Sequence, residues 1–200
     1  MNIGIDIDGV LNDQYDFCIN YGSKYCEEIK KYKLENINVA DTTDMFLWGE
    51  DTAHRFWNKY RIELVSKIPA RPFASEVIKK IKEKGNKIHI ITARKNYDEW
   101  FPKEMQENVE ELTIKWLKDN DIIYNGIYFD KQNKEKFCKE KGIDVMIDDE
   151  PRNIENLIRE TNVIIFDNPY NRNKEFSNIT RAYSWYDLYG KLNDFGSGKE

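Results

Sequence analysis

The stretch IGIDIDGVLND (residues 3–13) decides how the rest of the chain is read. It begins as an apolar strand, yet Asp6, Asp8 and Asp13 fall within eight positions. Side chains at i and i+2 share one face of a strand. Asp6 and Asp8 are therefore expected to point the same way at a strand end, with Gly9 allowing a sharp turn after them. Two carboxylates so placed repel unless a cation sits between them or one holds a proton.

Four further apolar runs read as strands: KIHIITA (87–93), GIYF (126–129), DVMI (144–147) and NVIIF (162–166). Helical patterns lie between them. Ala74, Val77, Ile78 and Ile81 follow the i, i+3, i+4, i+7 rule, and Gly85 is placed to end that helix. Met105, Val109, Leu112 and Trp116 recur at helical spacing, as do Ile154, Leu157 and Ile158 after Pro151. Strands alternating with helices predict an α/β fold, a doubly wound Rossmann-like parallel sheet. In such sheets the site lies at the carboxyl ends of the strands, near the switch point in strand order.

The first strand does not reach the second quickly. Residues 14–71 carry a helical pattern, with Phe17, Tyr21, Tyr25 and Ile29 followed by Ala53, Phe56, Trp57, Tyr60 and Leu64. Residues 1–13 and 72–200 are thus expected to form the α/β core, and 14–71 a small helical cap. Leaving the core just past the paired aspartates, that cap is positioned as a lid.

Two hundred residues, 40% hydrophobic and 34% charged, suit a globular domain with one sizeable insertion. A net charge of −5 argues against a general nucleic-acid surface, so no stable nucleic-acid complex is expected. Cys18, Cys26 and Cys138 are odd in number and lack CxxC spacing, which reads as reduced thiols. With no leader pattern and no apolar run of transmembrane length, a cytoplasmic protein without membrane contact is expected. Oligomeric state stays open, a homodimer included.

Four segments carry chemistry, each at or after a strand. They are Asp6 with Asp8, then Thr92 and Arg94 in IITAR, then the lysine-rich DKQNKEKFCKEKG (130–142), and finally Asp148 with Asp149 in VMIDDEPRN. Each has an ordinary alternative: a capped strand end, a common threonine, a solvated lysine face. Two acid pairs converging on one sheet edge nevertheless ask for a divalent cation, and oxygen-rich, partly hydrated sites suit magnesium.

With these segments in order, the chain resembles the haloacid dehalogenase superfamily, whose first motif is Asp-x-Asp-Gly after an opening strand. DIDGVLND with a helical insertion, IDDEPRN and a later DNPYNR (167–172) resemble, more narrowly, the 5′(3′)-deoxyribonucleotidases and their bacterial relatives. The resemblance implies Asp6 as a nucleophile forming an aspartyl-phosphate and Asp8 as the general acid and then base. It implies Mg²⁺ held by Asp6, the Asp8 carbonyl and Asp148, with Asp149 a ligand or a partner of one. Thr92 would bind a phosphoryl oxygen, with Ala93 and Arg94 beside it. Lys134 would complete the phosphate clamp, with Lys131 the rival. Asp8 would have to start protonated, which a neighbouring carboxylate encourages.

The implied activity is hydrolysis of a small phosphorylated substrate, a nucleoside monophosphate, with Phe46, Trp48, Phe56, Trp57 and Trp100 as candidate stacking residues. Aromatics at helical spacing also serve as a cap's own core. A sugar phosphate or a polynucleotide end are alternative substrates, and a non-catalytic phospho-ligand-binding protein is the alternative class. DNPYNR is either an ordinary turn or a loop returning to the site.

Overall fold

The computed structural model describes residues 1–96, 108–173, 176 and 179–197. Its centre is a six-stranded sheet of β1 (Asn2–Ile5), β2 (Lys87–Ile91), β3 (Gly126–Tyr128), β4 (Val145–Asp148), β5 (Asn162–Phe166) and β6 (Thr180–Ala182). All neighbours are parallel, in the order β3-β2-β1-β4-β5-β6. The chain builds outward from β1 on one side, then crosses to place β4 on the other. That reversal opens a crevice at the carboxyl ends of β1 and β4.

Alternation along the strands feeds two cores. Ile3, Ile5, Ile88, Ile90, Val145, Ile147, Ile164 and Phe166 pack on one face, with helix α4 (Ala74–Glu83) and the last helix. Ile91, Met146, Val163 and Ile165 pack on the other, with Cys138 and Ile154. Covered on both faces, the strands become near-continuous apolar runs, as parallel sheets require. Among the described residues, the remaining helices of the α/β body are α5 (Val109–Asp119), α6 (Lys134–Lys141), α7 (Pro151–Leu157) and α8 (Trp185–Ser197).

Between β1 and α4 lies the helical insertion: α1 (Gln14–Ile29), α2 (Thr42–Phe46) and α3 (Glu50–Lys67). Its buried residues make a cluster of their own, rich in aromatic rings. Phe46 stacks on Trp48 at 4.6 Å between centroids, and Trp48 meets Phe56 at 5.3 Å. Gly22 lets α1 approach this group, since a Cβ there would lie 2.3 Å from the Phe46 ring. The outgoing and returning chains are joined side by side, by a bridge between Asn12 and Ala70 and by the Arg71 amide bonded to the Leu11 carbonyl at 2.7 Å.

The structure differs from the sequence-based expectation at several boundaries. β1 ends at Ile5, so Asp6 and Asp8 lie just beyond the strand, yet the alternation carries on: Ile3, Ile5 and Ile7 enter one core while Asp6 and Asp8 line the cavity. Asp148, by contrast, is inside β4, whereas Asp144 precedes it. The edge strand β6 is absent from the expected strands because three residues with Arg181 at their centre carry no apolar alternation. Met105 lies outside the described residues, and α5 is described from Val109. No described helix is long and apolar enough to cross a membrane.

Candidate active site

Past the end of β1, the Asp6 amide continues the sheet by bonding to the Ile147 carbonyl at 3.1 Å. The chain then winds tightly, the amides of Val10, Leu11 and Asn12 all donating to the Ile7 carbonyl. Gly9 takes φ +83°, and a Cβ there would come within 1.8 Å of Asp149. Only glycine allows both the left-handed backbone and that contact. The last bond of the β1–β4 ladder sets Asp6 at the crevice, and the turn that follows holds Asp8 beside it.

Because β1 and β4 are neighbours, Asp6 meets Asp148 and Asp149. One oxygen from each lies within 4.8 Å of the others, and all three residues are buried. Lys134, the first residue of α6, places its Nζ 2.7 Å from an oxygen of Asp6 and 2.7 Å from one of Asp148. It is 1% exposed. Lys131 instead lies over the Phe137 ring, its Nζ 5.3 Å from the centroid. Asp148 also accepts from the Glu150 amide at 2.9 Å and from Asn153 at 3.2 and 3.3 Å.

Asp8 is in a different environment from the one expected. Arg94 grips it with two bonds, Nε to Oδ2 at 2.8 Å and Nη2 to Oδ1 at 2.6 Å, and Asn12 adds a third at 2.9 Å. Burial pushes the carboxyl up, but the Arg94 guanidinium outweighs it and holds Asp8 below the ordinary carboxylate range. The neighbouring acid therefore does not favour a protonated Asp8, because an arginine 86 residues away neutralises it first. The remaining nitrogen of Arg94 reaches Thr113 Oγ1 at 3.1 Å and the Val65 carbonyl of α3 at 3.4 Å.

Thr92 is buried just past β2, its amide bonded to the Tyr128 carbonyl at 3.1 Å. The Lys131 amide donates to the Thr92 carbonyl at 2.9 Å, tying the loops after β2 and β3 together.

These groups open into a cavity of about 790 Å³ between the sheet edge and the insertion. Asp6, Asp8, Thr92, Ala93, Arg94, Lys134 and Asp149 line its floor. The opposite wall comes from Gln14 and Tyr15 on α1, residues 38–42 and 44, and Trp57, Arg61, Leu64 and Val65 on α3. Of the five candidate stacking residues, Trp57 faces this cavity. Phe46, Trp48 and Phe56 do not: at 0–1% exposure they are the insertion's own core. Their burial there corrects the expectation that they touch substrate. Trp100 lies outside the described residues.

Local charge fits a hard divalent cation. Three carboxylates share one ammonium, since Asp8 is already paired with Arg94. Burial, helped by Asp148, pushes Asp6 up to about 7 despite Lys134. Burial and the charges of Asp148 and Asp6 push Asp149 well above its usual value. Lys134 moves the other way from a buried lysine, up, because Asp148 and Asp6 outweigh its desolvation. An all-oxygen set with surplus negative charge suits an ion such as Mg²⁺ or Ca²⁺ rather than a soft metal.

This surplus has a sign in solution. Asp6 ionises near 7 in the fold but near 3.8 in an open chain, so its contribution to stability is complete below about pH 4 and is lost as pH rises through about 7. With chelator present, the melting temperature is expected to fall between about pH 4 and about pH 7 and to level off above. Saturating divalent cation should flatten that fall, because it binds the ionised form. Calorimetry with and without chelator reads this directly; parallel curves would mean that no cation is held here.

A family model described as 5′ nucleotidase, deoxy (Pyrimidine), cytosolic type C protein matches residues 1–193. The chain is 29% identical to a protein of Chlorobaculum tepidum that carries the provisional name 5′(3′)-deoxyribonucleotidase, over 96% of this chain and 90% of that one. It is 26% identical to a nucleotidase of Clostridium acetobutylicum, over 95% and 92% of the two chains. The fold is shared with a haloacid dehalogenase superfamily hydrolase of Geobacter sulfurreducens, at TM-score 0.60 and 12% identity over 96% of this chain and 95% of that one. With Asp6 gathered to Asp148 and Asp149 at the ends of the opening strand and its parallel neighbour β4, and with the match running almost end to end, the chain belongs to the deoxy (pyrimidine) cytosolic type C family of 5′ nucleotidases.

Proposed function

We propose that this protein is a magnesium-dependent phosphomonoesterase acting on nucleoside monophosphates, pyrimidine deoxyribonucleotides foremost, in the cytoplasm. The observation that carries it is the juxtaposition of Asp6, at a buried three-carboxylate cluster, with Asp8 two residues on and a cavity above both. The family description and the names of the relatives support the nucleotide.

Asp6, Asp148 and Asp149 would hold the cation, which when bound offsets the charge of the phosphoryl group and screens it from Asp6. An Asp6 oxygen attacks phosphorus, an O–P bond forms, and the bond to the nucleoside oxygen breaks. Asp8 gives its proton to that departing oxygen. For this it must arrive protonated, so the dianionic phosphate has to draw Arg94 away from it. In the second step Asp8 takes a proton from water, which attacks phosphorus and releases phosphate from Asp6. Lys134 and Thr92 orient the phosphoryl oxygens. The helices α1–α3 serve as a cap, and Trp57 on α3 offers its ring to the base.

The test is phosphate release from a panel of ribo- and deoxyribonucleoside monophosphates and sugar phosphates, with Mg²⁺ or chelator. Metal-dependent release from nucleotides is expected. Trp57→Ala should raise KM for nucleotides roughly 5- to 150-fold, as loss of one stacked base implies, while leaving sugar phosphates nearly unchanged. Release confined to sugar phosphates would overturn the nucleotide and keep the chemistry.

A further inference from the structure

DNPYNR (167–172) does more than turn the chain. Asn168 and Asn171 close a capping box around a short 3-10 turn at Pro169–Asn171, and Asp167 is paired with Arg172 and Arg181. From that braced turn three groups reach Asp149. Asn171 Nδ2 donates to the Asp149 carbonyl at 2.9 Å and Asn168 Nδ2 to its Oδ2 at 3.3 Å. The Tyr170 hydroxyl donates to the same Oδ2. The two donors that reach the carboxylate, Asn168 and Tyr170, thus fall on one of its oxygens.

The same turn also grips the opposite side of the site. Asn168 Nδ2 bonds to the Gly9 carbonyl at 2.9 Å, and the Asp149 carboxylate occupies the space that a Cβ on Gly9 would need. Arg71, where the insertion rejoins the core, bonds to Asn168 Oδ1 at 2.8 Å and to the Asn12 carbonyl at 3.0 Å. The Tyr170 ring lies 5.7 Å from that of Tyr15 on α1, and both line the cavity. An ordinary turn needs none of these contacts.

We propose that Tyr170 is a positioning residue: its hydroxyl, with the Asn168 amide, fixes the rotation of the Asp149 carboxylate so that its other oxygen is presented to the cation. Tyr170 acts through Asp149 and has no part in bond making. The proposal rests on the assignment of Asp6, Asp148 and Asp149 as a cation site. Asp148 needs no such help, because Lys134, Asn153 and the Glu150 amide already orient it. Partners that orient a metal ligand commonly contribute 10- to 100-fold to affinity.

The experiment is Mg²⁺ binding to wild type and Tyr170→Phe by isothermal titration calorimetry, beside kcat and KM for a nucleotide at saturating Mg²⁺. The variant keeps the ring and its contact with Tyr15. Its Mg²⁺ affinity is expected to be roughly 10- to 100-fold weaker, with kcat at saturating Mg²⁺ within a few-fold of wild type. Affinity within twofold of wild type would overturn the proposal, and a raised nucleotide KM alongside it would mean that Tyr170 touches substrate instead. Should the variant not fold, the tyrosine ultraviolet difference spectrum of wild type during Mg²⁺ titration decides. A perturbed phenol supports the proposal and an unperturbed one ends it. Wild type that binds no Mg²⁺ also ends it. Wild type that binds Mg²⁺ but cleaves no nucleotide ends the nucleotidase reading alone, and the calorimetric comparison still stands.

Discussion

Asp6→Asn is expected to abolish phosphate release, lowering kcat by on the order of 10⁴-fold or more, while leaving a folded protein. An amide has nearly the shape of the carboxylate but cannot attack phosphorus, so the first bond does not form. Stability should move the opposite way from activity. The change removes one of three acids that share the Lys134 ammonium, and Lys134 keeps its 2.7 Å contact with Asp148. In chelator above about pH 7, where Asp6 would be ionised, the variant should melt no lower than wild type, and its melting temperature should vary less with pH. Single-turnover assays with a radiolabelled nucleotide should also show no label retained on the protein. A variant keeping more than about one per cent of activity would place the nucleophile elsewhere.

The second large effect belongs to Lys134→Met, and it combines both losses. The side chain is enclosed, bonded to Asp6 and Asp148, and methionine fills similar volume with no charge. Removing one partner of a buried ion pair leaves the other uncompensated, which costs about 3–5 kcal/mol. Here two carboxylates are left facing each other, so denaturant unfolding in chelator should show a loss at the upper end of that range, partly restored by Mg²⁺. Activity at saturating Mg²⁺ should drop roughly 10²–10³-fold, the usual effect of deleting one preorganised donor to a developing anion. Lys131→Met is the matched control. Lys131 lines the cavity too, but its ammonium lies over Phe137 rather than on the acids' oxygens as that of Lys134 does, and the variant should stay within a few-fold of wild type. Equal losses in the two variants would mean that charge near the mouth, not the buried pair, supports the chemistry.

Much of this site is legible in the amino-acid sequence, because its signals are local. An apolar run ending in Asp6-x-Asp8-Gly9, another ending in Asp148-Asp149, and a threonine after a third each mark a strand's carboxyl end. Alternation of such runs with 3.6-residue periodicity implies parallel strands and crossovers, and a parallel sheet gathers its strand ends along one edge. The helical insertion is equally plain, since aromatic and aliphatic residues recur there at i, i+3 and i+4.

What the chain's local pattern determined, then, was the α/β class, the insertion after the first strand and the acids at the sheet edge. Only the tertiary structure decided which charges meet. The placement of β4 beside β1 brings Asp148 and Asp149 to Asp6, and that adjacency depends on a crossover that leaves no mark on the strands themselves. Arg94 claims Asp8 across 86 residues, the α6 N-terminus selects Lys134 over Lys131, and DNPYNR comes back onto Asp149. Phe46, Trp48 and Phe56 went inward while Trp57 faced the cavity, although all four are aromatic residues of one helical insertion. Periodicity reports that a side chain is buried by something; whether that something is a neighbouring helix or a ligand is set by packing between elements distant in sequence.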